Sequence, residues 1–219
     1  MALELFAHPF SSYSQKVLIA LYENATPFEF RMLDEQHADN VALLQSHWQI
    51  GKFPLLLDDG QPVIESTVII EYLSRNYPGT ISLLPDAAES LMEVRLLDRV
   101  FDTYVMTPMQ AIVSNALRPE EDRSEPIVYS ARDLLDKAYS WLDRRIAGRS
   151  WAAGDTFTLA DCAAAPSLFY ADWVHNISSG YQALRTYRTR LLARPSVKRA
   201  VDDARPYRQF FPPGAPDRD

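Results

Sequence analysis

The sequence predicts two units: an α/β unit built on a mixed four-stranded sheet, then an all-α unit. Three observations predict them. The first 80 residues mix short apolar runs of strand period with runs spaced three and four apart. Residues 51–73 read as strand, turn and strand, then change period into a helix. After residue 87 only helical spacing is present. The expected boundaries are 1–80 for the sheet unit, 81–86 for a linker, 87–211 for the helical unit and 212–219 for a loose tail.

Leu3 and Leu5 mark a first strand, broken at His8-Pro9-Phe10. Val17, Leu18, Leu21 and Tyr22 then lie on one face of an amphipathic helix, which Ser14 is expected to cap. Phe28, Phe30 and Met32 alternate as in a half-buried strand, and Val41, Leu43 and Leu44 suggest a short second helix. Pro54 has no N–H to donate, so it belongs at a strand's first residue or in a turn, and a cis bond is open to it. Leu55, Leu56 and Leu57 follow; Asp58-Asp59-Gly60 turns the chain; Val63 and Ile64 return it. Ser66 fits the N-cap of a third helix carrying Val68, Ile69, Tyr72 and Leu73. The β-α-β start makes its two strands parallel, whereas the tight turn makes the next pair antiparallel, so the sheet is mixed.

In the helical unit a long helix is expected over 87–117, bent or broken by Pro108. A second, over 125–148, puts Leu134, Leu135, Ala138 and Leu142 on one face, with Gly148 suited to its C-terminal end. Thr158 and Asp161 form a capping-box pattern. The helix behind it, through Trp173, is apolar nearly all round and is therefore buried. Two shorter helices, over 181–193 and 196–204, close the unit.

Composition narrows the function. The 219 residues carry a net charge of −7, which lacks the basic footprint that nucleic acid requires. No apolar run is long enough to span a membrane, and the N-terminus lacks the pattern of a signal peptide, so a soluble cytoplasmic protein is expected. The single cysteine, Cys162, excludes an intrachain disulfide framework and reads as a core residue. His8, His37, His47 and His175 have no metal-ligand spacing, so no metal is expected. From residues 51–73 alone, two readings stand side by side. Pro54 and Ser66 are plain scaffold, or the Phe53 backbone pairs with a bound peptide while an anion sits at Ser66 and the helix N-terminus.

Four stretches in order carry a resemblance: SSYSQKVLIALYE, GKFPLLLDDGQPVIES, TLADCAA and RPSVKRA. Together they resemble the cytosolic glutathione transferases, specifically bacterial, serine-using (theta- or zeta-like) members, over the chain up to about Phe211. The resemblance implies a thioredoxin-like N-terminal domain that binds glutathione and an all-helical domain that binds a second substrate. By resemblance, Phe53 pairs with the cysteinyl backbone through a cis bond at Pro54. Glu65 takes the γ-glutamyl ammonium, and Ser66 with its helix N-terminus takes the γ-glutamyl carboxylate. Lys52, and less strongly His37, are candidates for the glycyl carboxylate. Asp102 resembles an acid that reaches the partner subunit's ammonium group in a homodimer; its other reading is an exposed helix charge.

Glutathione must react as a thiolate. Lowering a thiol pKa of about 8.5 by about 2 units requires roughly 2.7 kcal/mol, and one hydrogen bond to an anion is worth about 1.5–3 kcal/mol. A single hydroxyl suffices. Ser11 matches the catalytic serine of the serine-using classes, with Ser12 and Tyr13 as alternatives. Phe10, Tyr104 and Pro108 are candidates for the second-substrate pocket. The implied reaction is conjugation of glutathione to a small apolar electrophile. A glutathione-dependent isomerase or dehalogenase is the second reading, with Arg95, Arg99 or Arg118 as cations for an acidic substrate. A non-catalytic glutathione-binding or regulatory protein is the third.

Overall fold

A computed structural model describes residues 3–219; the first two residues of the expected 1–80 unit lie outside the described residues. Strands β1 (Leu3–Ala7), β2 (Glu29–Met32), β3 (Leu55–Asp58) and β4 (Gln61–Ile64) form one sheet in the order β2-β1-β3-β4. β1 and β2 run parallel, and β3 lies antiparallel to both β1 and β4. Pro62 falls on the edge strand β4, the place in a sheet where a missing N–H is tolerated. Helices α1 (Ser12–Glu23), α2 (Ala38–His47) and α3 (Ser66–Asn76) complete the sheet unit.

The helical unit contains α4 (Ala88–Val100), α5 (Thr107–Ala116), α6 (Glu125–Ile146), α7 (Leu159–Val174), α8 (Gln182–Ala193) and α9 (Pro195–Ala204). Every residue of α7 is buried, as its all-round apolarity demands. Its start carries the expected capping box between Thr158 and Asp161. α7 packs on α1 and α4, and α1 packs on α9, so one continuous core joins the two units.

Four local expectations are corrected. Ser11, not Ser14, caps α1: its Oγ accepts the Ser14 N–H at 3.3 Å. Ser14 lies inside the helix, where its Oγ accepts the His8 N–H. The N-cap of α3 is Glu65, whose carbonyl accepts the Ile69 N–H, so Ser66 is the first helical residue. The bend expected at Pro108 takes the form of a π-helical stretch, Phe101–Met106, between α4 and α5. The proline cannot donate to the carbonyl one α-turn back, and the wider turn instead sends both the N–H and the hydroxyl of Thr107 to the Asp102 carbonyl. Finally, the tail over 212–219 is tied down. Arg218 pairs with Asp172, and Asp219 accepts from Arg205 and Arg208. A Pro-rich composition suggests looseness, but these ion pairs act over distances in sequence that composition does not register.

Candidate functional site

A cavity of about 670 Å³ opens between the sheet unit and the α4–α5 rod. Ser11 and Tyr13 enter from the start of α1, Lys52, Phe53 and Pro54 from the loop before β3, and Glu65 and Ser66 from the start of α3. The Phe53–Pro54 bond is cis. Phe53 takes no part in either ladder of β3, whose registers begin at Leu55. Glu65 has φ of +71°, a left-handed conformation that costs a non-glycine residue about 1–3 kcal/mol. Its exposed carboxylate makes no hydrogen bond among the described residues. Just behind it, Ser66, Thr67 and Val68 form the first turn of α3, where backbone N–H groups have no intrahelical acceptor. A carboxylate beside free N–H groups suits a zwitterionic end group, its ammonium on Glu65 and its carboxylate on the helix N-terminus.

Beneath this wall lies a buried ionic cluster. Lys16 is 0 % exposed and contacts Asp98 at 2.6 Å and Asp102 at 2.8 Å. Its Nζ also donates to Thr67 Oγ1 at 2.9 Å, and Thr67 in turn donates to Asp98 at 2.9 Å. The cluster ties α1, α3 and α4 together directly under the cavity. Burial raises the Asp102 carboxyl above the usual carboxylate range, and Lys16 works against that rise. Tyr13 is pushed up to about 12 by burial, with Asp102 and Glu65 adding to it, so its phenol keeps its proton.

A second cavity, of about 280 Å³, adjoins the first on the α5 side. Phe10, Tyr170 and Phe211 wall it, with ring centroids 5.5 Å apart for Phe10–Tyr170 and 6.2 Å for Phe10–Phe211. Ser11 and Gln110 line both cavities.

The structure therefore gathers Ser11, Tyr13, Lys52, Phe53, Pro54, Glu65, Ser66 and Asp102 around one cavity, and places Ser12 and Phe10 at the second. His37 lies outside both linings, its ring held 2.6 Å from Asp34 in solvent. Tyr104 is 49 % exposed, and Pro108 is buried in the first turn of α5; neither is in the lining of these two cavities. Asp102 is no exposed helix charge: it is 4 % exposed and faces the cavity of its own chain, because the π stretch turns it inward onto Lys16. Arg99, expected near an acidic second substrate, lines the first cavity instead. Trp48, Thr67, Thr107 and Gln110 were not foreseen. Asp102, Thr107 and Gln110 share this wall at steps of five and three residues, and the step of five is the π turn, which no 3.6-residue period anticipates.

Fold and cavity define a two-domain protein, a thioredoxin-like sheet domain carrying a peptide-sized site and a helical domain closing it. The profile of the glutathione S-transferase N-terminal domain matches residues 5–80, and that of the glutathione S-transferase C-terminal domain matches residues 94–190. The chain belongs to the glutathione S-transferase family. A probable glutathione S-transferase of Nicotiana tabacum is 26% identical over 71% of this chain. The match spans 65%, just under two thirds, of that relative's length. Glutathione S-transferase GstB of Escherichia coli K12 is 25% identical over 87% of this chain and 93% of its own. Among solved structures, a glutathione S-transferase of Methylobacterium radiotolerans in complex with glutathione sulfonate is 27% identical. It has a TM-score of 0.79 and covers 92% of this chain and 95% of its own.

Proposed function

We propose that this chain conjugates the thiolate of glutathione to a small apolar electrophile, with Ser11 holding the thiolate. The observation that carries the reading is the position of Ser11: it lies on the lining of both cavities, and its hydroxyl proton has no acceptor among the described residues. Its Oγ accepts the Ser14 N–H as the cap of α1, which leaves the O–H to donate. Glutathione lies in the larger cavity. Its γ-glutamyl ammonium meets Glu65, with the Asp102 carboxylate beside it; its γ-glutamyl carboxylate meets Ser66 and the α3 N-terminus; its cysteinyl backbone meets Phe53. Lys52 takes the glycyl carboxylate. The sulfur then points to the seam at Ser11, and the electrophile comes from the aromatic-walled cavity.

The lining of that second cavity carries no charged residue, which supports an apolar electrophile over a small dicarboxylic acid. Arg95 is engaged with Glu71, and Arg118 lines neither cavity. The active form is proposed to be a homodimer with isologous contacts; a monomer at micromolar concentration in sedimentation would count against it.

Ser11→Ala tests the thiolate assignment. Glutathione affinity stays within about threefold, since the tripeptide is held mainly elsewhere. The pKa of the bound thiol, followed by its ultraviolet thiolate absorbance, rises by about 1–2 units, the loss of one hydrogen bond to an anion. An unchanged thiol titration in Ser11→Ala together with a raised one in Tyr13→Phe would move the role to Tyr13.

A further inference from the structure

A third cavity, of about 410 Å³, opens where the loop after α6 meets α8. It shares no lining residue with the other two. Arg149 and Ser150 line it from the loop, and Gln182, Ala183, Thr186 and Arg190 from α8. Gln182, Thr186 and Arg190 follow at steps of four, which puts them on one face of that helix. The lining holds no acidic residue and no aromatic one.

These side chains have hydrogen bonds left to make. Arg190 donates through Nη1 to the carbonyls of Ser150 at 2.6 Å and Arg149 at 3.3 Å. Those bonds set its guanidinium against the loop and leave Nε and Nη2 with no acceptor among the described residues. Arg149 donates through Nη1 to Glu93 at 2.8 Å and to the Ala152 carbonyl at 2.9 Å, and its Nε and Nη2 are likewise left over. The Ser150 and Thr186 hydroxyls and the Gln182 amide make no hydrogen bond among the described residues. The charges do not cancel either. Glu93 serves both Arg145 and Arg149, and Arg190 has no ion pair among the described residues. Asp143 takes the Leu184 N–H at the start of α8. Three guanidinium groups thus stand against two carboxylates, an excess of positive charge in a chain of net charge −7. The first-turn N–H groups of Gln182 and Ala183 add the positive end of the α8 dipole.

We infer that this cavity binds a small phosphomonoester with a hydroxyl-bearing body, a sugar phosphate. A guanidinium fork gives parallel N–H bonds to the oxygens of one phosphorus. A phosphomonoester presents three terminal oxygens and close to two charges, enough for both Arg149 and Arg190, whereas a monocarboxylate offers two oxygens and one charge. Ser150, Thr186 and Gln182 can each donate and accept, as the hydroxyls of a sugar require. A nucleotide is disfavoured, since no aromatic ring is present for a base to stack on. The volume lies in the range of small-molecule sites, about 300–1,000 Å³. The site stands apart from the glutathione cavity, so the inference does not depend on the transferase reading.

Calorimetry in about 0.15 M KCl, where diffuse surface charge is screened, compares glucose 6-phosphate, inorganic phosphate, AMP and glucose. Glucose 6-phosphate is expected to bind with a Kd below about 1 mM, inorganic phosphate and AMP about 10-fold more weakly, and glucose not measurably. Arg190→Gln is expected to lose about 10- to 100-fold toward glucose 6-phosphate, the range of one hydrogen bond to an ion. Thr186→Val, whose hydroxyl has no protein partner to lose, is expected to lose about 3- to 10-fold toward glucose 6-phosphate and nothing toward inorganic phosphate. Arg132→Gln, which removes an exposed arginine of α6 outside the cavity, is expected to bind as the native chain does. Glutathione affinity is expected to stay unchanged in all three variants, which also reports an intact fold. No heat with glucose 6-phosphate at about 10 mM, or equal losses in Arg190→Gln and Arg132→Gln, would overturn the site. AMP binding more tightly than glucose 6-phosphate, or Thr186→Val binding it unchanged, would overturn the sugar phosphate as its ligand.

Discussion

Lys16→Met puts the buried cluster to a quantitative test. In the native protein one ammonium, wholly buried, lies within 2.6 Å of Asp98 and 2.8 Å of Asp102. Methionine fills the same volume without charge and leaves two carboxylates facing each other out of water. Removing one partner of a buried ion pair costs about 3–5 kcal/mol. For a chain of this size each kcal/mol is about 2–4 °C in Tm, so the expected drop is about 6–20 °C at pH 7. The pH dependence gives the sharper readout. The Asp102 carboxyl is raised in the folded protein, so its contribution to stability is full below the unfolded value of about 3.9 and is lost as pH rises through the folded value. Taking Lys16 away raises it further. The deficit of the variant should therefore shrink as pH falls from 7 toward 5, because the uncompensated carboxylate takes up a proton. Denaturant unfolding followed by far-UV circular dichroism at pH 5, 6, 7 and 8 measures this directly. The double variant Lys16→Met/Asp98→Asn should recover part of the loss. A deficit below about 1 kcal/mol, the same at every pH, would show that the cluster is not held by charge. The same variant should weaken glutathione binding, since Thr67, in the first turn of α3, depends on Lys16 and Asp98 for its position.

Three other outcomes are expected. Glu65→Gln should weaken glutathione about 10- to 100-fold by calorimetry, since it removes the negative charge facing the ammonium group and keeps the shape. Asp161→Ala should cost at least about 3 kcal/mol in denaturant unfolding, because one carboxylate accepts from the Ala152 and Thr158 N–H groups and from the Tyr187 hydroxyl, all buried. Cys162 should resist a thiol reagent in native buffer and react at once in denaturant, because full burial pushes its thiol well above the ordinary range; fast native labelling would contradict the packing of α7.

The order of elements was legible because it is written locally. A period of two against a period near 3.6, a proline at a strand start, Asp59-Gly60 at a turn and the Thr158–Asp161 pair each act within a few residues. One wall of the first cavity was legible for the same reason: Phe53, Pro54, Glu65 and Ser66 occur in one hairpin-and-helix segment. Other features depend on residues far apart in the chain. Nothing beside Lys16 in the sequence signals its burial, yet it pairs with Asp102, 86 residues later. Asp102 looked like a surface charge until the π stretch, set by Pro108, turned it inward. The tail looked loose because its partner, Asp172, lies on α7 and not beside it in sequence. The two-unit fold follows from the sequence alone, since local pattern and capping are enough for it; the candidate groups for a bound tripeptide came from the resemblance. Only the tertiary structure decided which charges are buried, and that Ser11 and Gln110 stand between two cavities, because those depend on how α1, α5 and α7 pack.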